Sequence, residues 1–296
     1  MGFLNSKTNK YLFIIILIAS FTIFFIFYCL NNINNNNNLI NKLENALTTT
    51  KNLFEEQKRY ALSLSILLSE DKTIIDSFIK KDRKKSFQIV NTKINTLKQL
   101  QNSKLDIQIH NKDLTTYIRS WDIDIKNLDL ASFRQGLLKV SKEKTPIVSI
   151  ELGERLNIKA ISPIIKNNKY LGSVEAIIDF EYLSHELSKK GYELFVLLDK
   201  EHLNIASELK NNKKIGNYIL VNEANINHLN NLNLEKIKDY GYISNNDYSF
   251  VYFSYYDFDN KHLGYIFTGI SNNKNLNISN DYEYETTNIN SKIKIK

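Results

Sequence analysis

A single cysteine in 296 residues, Cys29, excludes an internal disulfide framework and any paired-cysteine metal site. It closes an apolar block. A lipid anchor on it needs a small residue just before it, where Phe27 and Tyr28 stand. There are only nine glycines and two prolines, and no Gly-x-Gly-x-x-Gly fingerprint, P-loop or Gly-x-Ser-x-Gly elbow occurs. The five histidines lack His-Glu-x-x-His spacing. Asp122, Asp124 and Asp129 suggest a calcium loop. Asn127 and Phe133 stand where that loop needs glycine and a bidentate glutamate, so these acids read as a polar rim. No catalytic residue, metal or cofactor is expected, and the chain reads as a non-enzyme.

Charge of one sign is not concentrated either. The net charge is +7, but lysines alternate with acids along the chain and form no single stripe, so nucleic acid is not the expected partner. The cluster Lys80, Lys81, Arg83, Lys84, Lys85 reads as an exposed helix face, with anion binding the sharper alternative. The wealth of Asn, Lys and Ile reflects nucleotide bias, so Asn runs carry little functional meaning.

Only one long apolar run exists. Tyr11 to Leu30 has no charge, and 20 residues of helix span about 30 Å, the hydrocarbon thickness of a bilayer. Lys7 and Lys10 precede it, and the next charge is Lys42, so the positive-inside rule puts the N-terminus (1–10) in the cytoplasm and the bulk of the chain outside. A cleaved signal peptide is the alternative; the run exceeds the usual apolar core, and no small-x-small site follows. A single-pass protein of a bacterial inner membrane, mostly periplasmic, is expected.

Beyond an Asn-rich linker, Leu39, Leu43, Leu47, Phe54, Ala61, Leu64 and Leu68 mark one face of a long helix within 31–70. That stripe packs on the domain's own core, forms a homodimer seam, or does both along different stretches. A second helical region covers 71–100. From 105 the period drops to two: strands are expected around 105–109, 117–121, 147–151, 157–165 and 171–180, with a turn at 166–169. A repeat follows at a constant offset of 92 positions. Ser162, Asn168, Lys169, Leu171 and Gly172 recur as Ser254, Asn260, Lys261, Leu263 and Gly264, and the flanking apolar residues pair Ile158 with Phe250, Ile161 with Phe253 and Val174 with Ile266. The fold class is therefore α+β: a transmembrane helix, a long helix and two PAS-like antiparallel-sheet lobes, at 71–186 and 187–272. A disordered tail is expected at 273–296.

Arg119, Asp129-Leu130 with Arg134, Pro146, Glu151-Leu152-Gly153, Ile161-Ser162-Pro163 and Leu171-Gly172-Ser173-Val174-Glu175 resemble the third family of double Cache sensor domains, most densely over 117–179. Lys159 stands where that family often carries Arg, and Ile150 replaces a usual glycine. The resemblance implies a membrane-distal first lobe that takes a small ligand, for chemotaxis or signal transduction. It also implies a second membrane helix and a cytoplasmic signalling module; no second apolar run of that length follows residue 30, so a sensor without its own output is expected. A separately encoded signalling partner is the corresponding expectation, and an accessory protein whose lobes bind another protein is the other function class.

Only five of 39 basic residues are arginine, and Arg119, Arg134 and Arg155 lie together in sequence. A guanidinium offers a planar fork to a carboxylate that lysine cannot imitate. It either meets an anionic ligand or joins a structural ion pair with Glu151 or Glu154. Alternation puts Tyr117, Arg119 and Trp121 on one strand face. The expected ligand site is thus Arg119 with Tyr117 and Trp121 as walls, assisted by Arg134, Glu151 and Lys159.

Overall fold

The computed structural model describes residues 7–101, 104–257 and 259–272. The expected tail at 273–296 and the first six residues lie outside them. By its contacts the chain forms two units, 1–45 and 46–296. Helix α1 (Lys7–Glu70) is continuous. The Asn tract, expected as a linker, is helical: asparagine is only a moderately poor helix former, and helix propagates from both sides. Among the described residues one segment, Tyr11–Asn31, is long and apolar enough to cross a membrane, by length and composition alone.

The second unit begins on the last turns of α1, where Leu47, Phe54, Ala61, Leu64 and Leu68 are buried at helical spacing. The expected second helix is broken in two, α2 (Lys72–Ile79) and α3 (Arg83–Gln101). Asp71 caps α2, and Lys81 adopts a left-handed conformation at the break.

The remaining elements are β1 (Leu105–Asn111), β2 (Thr116–Arg119), α4 (Gln135–Glu143), β3 (Ile147–Leu152), β4 (Leu156–Lys166), β5 (Lys169–Ile178), α5 (Glu181–Lys189), β6 (Glu193–Asp199), β7 (Lys214–Ile215), β8 (Tyr218–Leu220), β9 (Tyr240–Ser244), β10 (Tyr248–Tyr256) and β11 (His262–Ser271). They form two antiparallel sheets, ordered β2-β1-β5-β4-β3 and β7-β8-β6-β11-β10-β9. Helix α1 meets both through hydroxyls: Thr50 contacts Thr268 at 2.8 Å and Ser65 contacts Ser162 at 2.7 Å.

The repeat is real but out of phase in one strand. Gly172 and Gly264 are equivalent: a Cβ would fall 2.2 Å from the His110 carbonyl oxygen on β1, or 1.9 Å from that of Leu197 on β6. In the first hairpin Ile158 pairs with Ile178, whereas Phe250 pairs with Gly269, one position short of the residue that matches Ile178. A one-residue slip reverses every side chain of a strand. Ile158 and Phe250 therefore face opposite ways, contrary to the alignment read from sequence.

Candidate ligand-binding site

The first sheet has two different faces. Ile107, Ile109, Ile118, Ile158, Ala160, Val174, Ala176 and Ile178 alternate onto the helix-covered side. The opposite face is polar and yet buried. One row across it reads Ser149, Lys159, Ile177, Asp106; the next reads Ile147, Ile161, Glu175, Gln108, Arg119. Helix α4 covers part of this face through Leu137 and Val140, which pack with Leu114, Leu130, Ile161 and Tyr170.

Beside that apolar cover lies a cavity of about 60 Å³, room for a few water molecules. Asp106, Gln108, Arg119, Trp121, Arg134, Asn157 and Lys159 are among its lining residues, and the turn Gly153-Glu154-Arg155 forms part of its rim. All three neighbouring arginines of the sequence line it.

Arg134 is held from behind. Its guanidinium pairs with Glu175 and lies 3.3 Å from Glu151, whose other oxygen accepts from the Gly136 backbone N–H at 3.0 Å. His110 Nε2 is 3.4 Å from Glu175, and its Nδ1 is 3.0 Å from Ser173. Burial opposes ionisation of Glu175, but the Arg134 guanidinium, then His110 and Lys159, hold its carboxyl well below the usual range. Burial pushes the His110 imidazole down, towards the neutral form. Glu151 supports Arg134 and does not line the cavity.

Lys159 is different. It is 4% exposed and makes no ion pair among the described residues. Burial, with the Arg134 charge added, lowers its ammonium to about 8. Gly153 packs directly on it, leaving only 2.5 Å between Nζ and the position of an added Cβ. Arg119 Nε, Arg134 Nε and Ser149 Oγ, on or beside this face, are among the buried polar atoms that lack hydrogen-bond partners among the described residues. Such orphans are few in folded proteins. Arg119 spends one terminal nitrogen on Glu154, at 3.1 Å, and its guanidinium carbon lies 5.4 Å from the Trp121 ring centre.

Tyr117 is a correction. The pairing β1/β2 slips between Ile109–Ile118 and His110–Thr116, so Tyr117 is the extra residue of a β-bulge. The bulge breaks the alternation and sends the Tyr117 ring to the helix side, 4.8 Å from Phe78, with its hydroxyl 3.3 Å from Ser86. Arg83, expected on an exposed face, donates to the carbonyls of Tyr117, Ile123 and Ile125 and fixes the strand's exit. Asp122 and Asp129 accept from nearby backbone N–H groups as turn acids. Asp106, Gln108, Asn157 and Glu208 line the cavity without having been singled out. Alternation along β1 and β4 was the only signal for the first three, and Glu208 had none.

Residues 36–272 match the family model for the double sensory domain of two-component sensor kinases, the third double Cache family, and the chain belongs to that family. It is a sensor domain of the double Cache fold. Among solved structures it is similar to the V. cholerae histidine kinase DctB sensor domain, at 13% identity over 79% of this chain and 97% of that one, with a TM-score of 0.47. A putative sensory box/GGDEF family protein from Vibrio parahaemolyticus matches at 15% identity, over 77% and 94%, with a TM-score of 0.46. The ligand-binding domain of the Campylobacter jejuni chemoreceptor Tlp3, in complex with L-valine, matches at 13%, over 77% and 88%, with a TM-score of 0.44. No curated protein matches.

Proposed function

We propose that the first lobe is the receptor for a small organic anion, a short carboxylate, in a sensor anchored by Tyr11–Asn31 with its lobes outside the cytoplasm. The observation that carries this is the buried ammonium of Lys159, which makes no ion pair among the described residues, beside a cavity that Arg119 and Arg134 also line. A buried charge without a partner is unfavourable for folding alone, and a ligand carboxylate supplies the partner. Lys159 and Arg119 are the anion's contacts, Trp121 forms a wall, and Gln108 and Asn157 offer side-chain amides. Arg134 lends charge while staying bound to Glu151 and Glu175. Signal output runs to a kinase or chemotaxis partner, and α1 offers a surface for a second copy of the chain.

The test is a titration of the full chain, in detergent, with short mono- and dicarboxylates. Trp121 is the only tryptophan, so its fluorescence reports on this site. Charge-assisted contacts to a carboxylate contribute about 1.5 to 3 kcal/mol, so Arg119→Ala and Lys159→Met should each weaken binding by roughly tenfold or more. Failure of every acid to bind, or wild-type affinity in both variants, refutes the assignment.

A further inference from the structure

The rim of the cavity is built partly by the second lobe. Glu208 lines the cavity although it belongs to a 3-10 helix, Ser207–Asn211, that follows β6. Its backbone N–H donates to the Glu154 carbonyl at 3.0 Å, and its carboxylate pairs with Arg155. Two contacts thus fasten the three-residue turn between β3 and β4 to the other lobe. The middle residue of that turn, Glu154, places its own carboxylate 3.1 Å from Arg119.

We propose that the Glu154 carboxylate is an internal occupant of the anion position, held there by Glu208 of the second lobe, and that ligand binding displaces it and loosens the turn. This rests on the reading of the cavity as an anion site. The Arg119 side chain is 5% exposed while that of Glu154 is 45% exposed, so the acid reaches a buried cation from the solvent side and can leave again. A ligand carboxylate that replaces it gains Lys159 as well, which Glu154 does not pair with. The displaced turn pulls on Glu208. Its helix packs on the preceding 3-10 helix, Lys200–Asn204, where His202 Nε2 lies 3.1 Å from the His262 carbonyl at the start of β11. Occupancy of the first lobe and the seating of this helix are therefore coupled, and the coupling is reciprocal: whatever loosens the turn must favour the ligand.

The experiment compares the full chain in detergent with Glu154→Gln, Glu208→Ala and the double variant. Acetate and succinate are the probes, and the readouts are Trp121 fluorescence and, without acid, acrylamide quenching of Trp121. Each single variant removes one partly exposed charged contact that favours the closed turn, so affinity for the acid that binds should rise about twofold to tenfold. The double variant should gain no more than the better single one, since both act on one turn. Quenching should rise in both single variants. Weaker binding in Glu154→Gln would make Glu154 a ligand contact and overturn the proposal. So would Glu208→Ala that matches wild type in affinity and quenching. Where acid binds wild type and the variants equally, only this latch fails; where no acid binds any form, the anion site itself fails and the latch with it.

Discussion

At the scale of single residues, two buried cations beside the same acidic groups have opposite energetic roles. Arg134 neutralises Glu151 and Glu175, so its loss leaves two buried carboxylates uncompensated. Arg134→Met should lower stability by about 3 to 5 kcal/mol in denaturant titration. Lys159 has no such partner among the described residues, and Lys159→Met should raise the melting temperature while weakening anion binding by roughly tenfold or more, the signature of a residue kept for function. A melting temperature that falls in Lys159→Met would make the lysine structural. The same residue sets a pH dependence. Its ammonium is lowered to about 8, and an anion binds the protonated form, so affinity should be flat in mild acid and fall as pH rises through 8. Apo stability has the opposite sign. The folded value is depressed, so the unfolded chain holds more protons above pH 8, and stability rises from there towards the ordinary lysine range. Parallel titrations of affinity and stability between pH 6 and 10 check both signs.

At the scale of elements, the duplicated glycines mark where each hairpin's second strand presses on its inner neighbour. Gly172→Ala and Gly264→Ala both drive a methyl into a backbone carbonyl, of His110 and of Leu197. Each should cost about 1 to 3 kcal/mol or more, because backbone in a sheet centre yields little. Equal unfolding midpoints for wild type and either variant would break the equivalence of the two positions. The glycines, the strands and the helical stripe of α1 were legible because they follow periods of two and 3.6 or a constant offset. The bulge at Tyr117 was not: a bulge depends on pairing with β1, and no local pattern around Thr116–Arg119 announces it. The phase slip in β10 is hidden for a related reason, since nearly every residue from Phe250 to Tyr255 is apolar or aromatic and either phase fits. Most of the cavity-lining face was also out of reach. Asp106, Gln108 and Asn157 alternate with apolar residues as solvent-facing strand positions do, and their burial arises only in the tertiary structure. Arginine scarcity is a signal of another kind, because it registers a chemical need independent of pairing, and the three arginines it picks out line one cavity.

At the scale of the whole molecule, the anchor and the sensing lobes make separate claims. The orientation proposed for Tyr11–Asn31 requires an active periplasmic alkaline phosphatase fused after residue 272; an inactive fusion with an active cytoplasmic reporter reverses it. The two lobes meanwhile share a hairpin but have spent the same face on different ends. In the first, the face away from α1 carries Glu175, and Lys159, Gln108 and Arg119 line a cavity on it. In the second, the corresponding face carries Phe195, Leu197, Phe250, Tyr252, Tyr265 and Phe267, packed with Leu220, Leu229 and Leu234 into an apolar core. The phase slip in β10 brings Phe250 and Tyr252 onto that face beside Phe267, at ring distances of 6.2 and 5.1 Å, and closes the space that the first lobe leaves open. Close-packed aromatic rings leave no room for a solute. One ligand should therefore bind per chain. Hydrogen exchange read by mass spectrometry should show ligand protection in β1, β2 and 157–161 and none in 250–253 or 265–268, where amides of a dry sheet centre already exchange only through large openings. A stoichiometry of two, or protection centred on β10 and β11, would mean that the second lobe opens a pocket of its own and that the aromatic face is a closed door rather than a core.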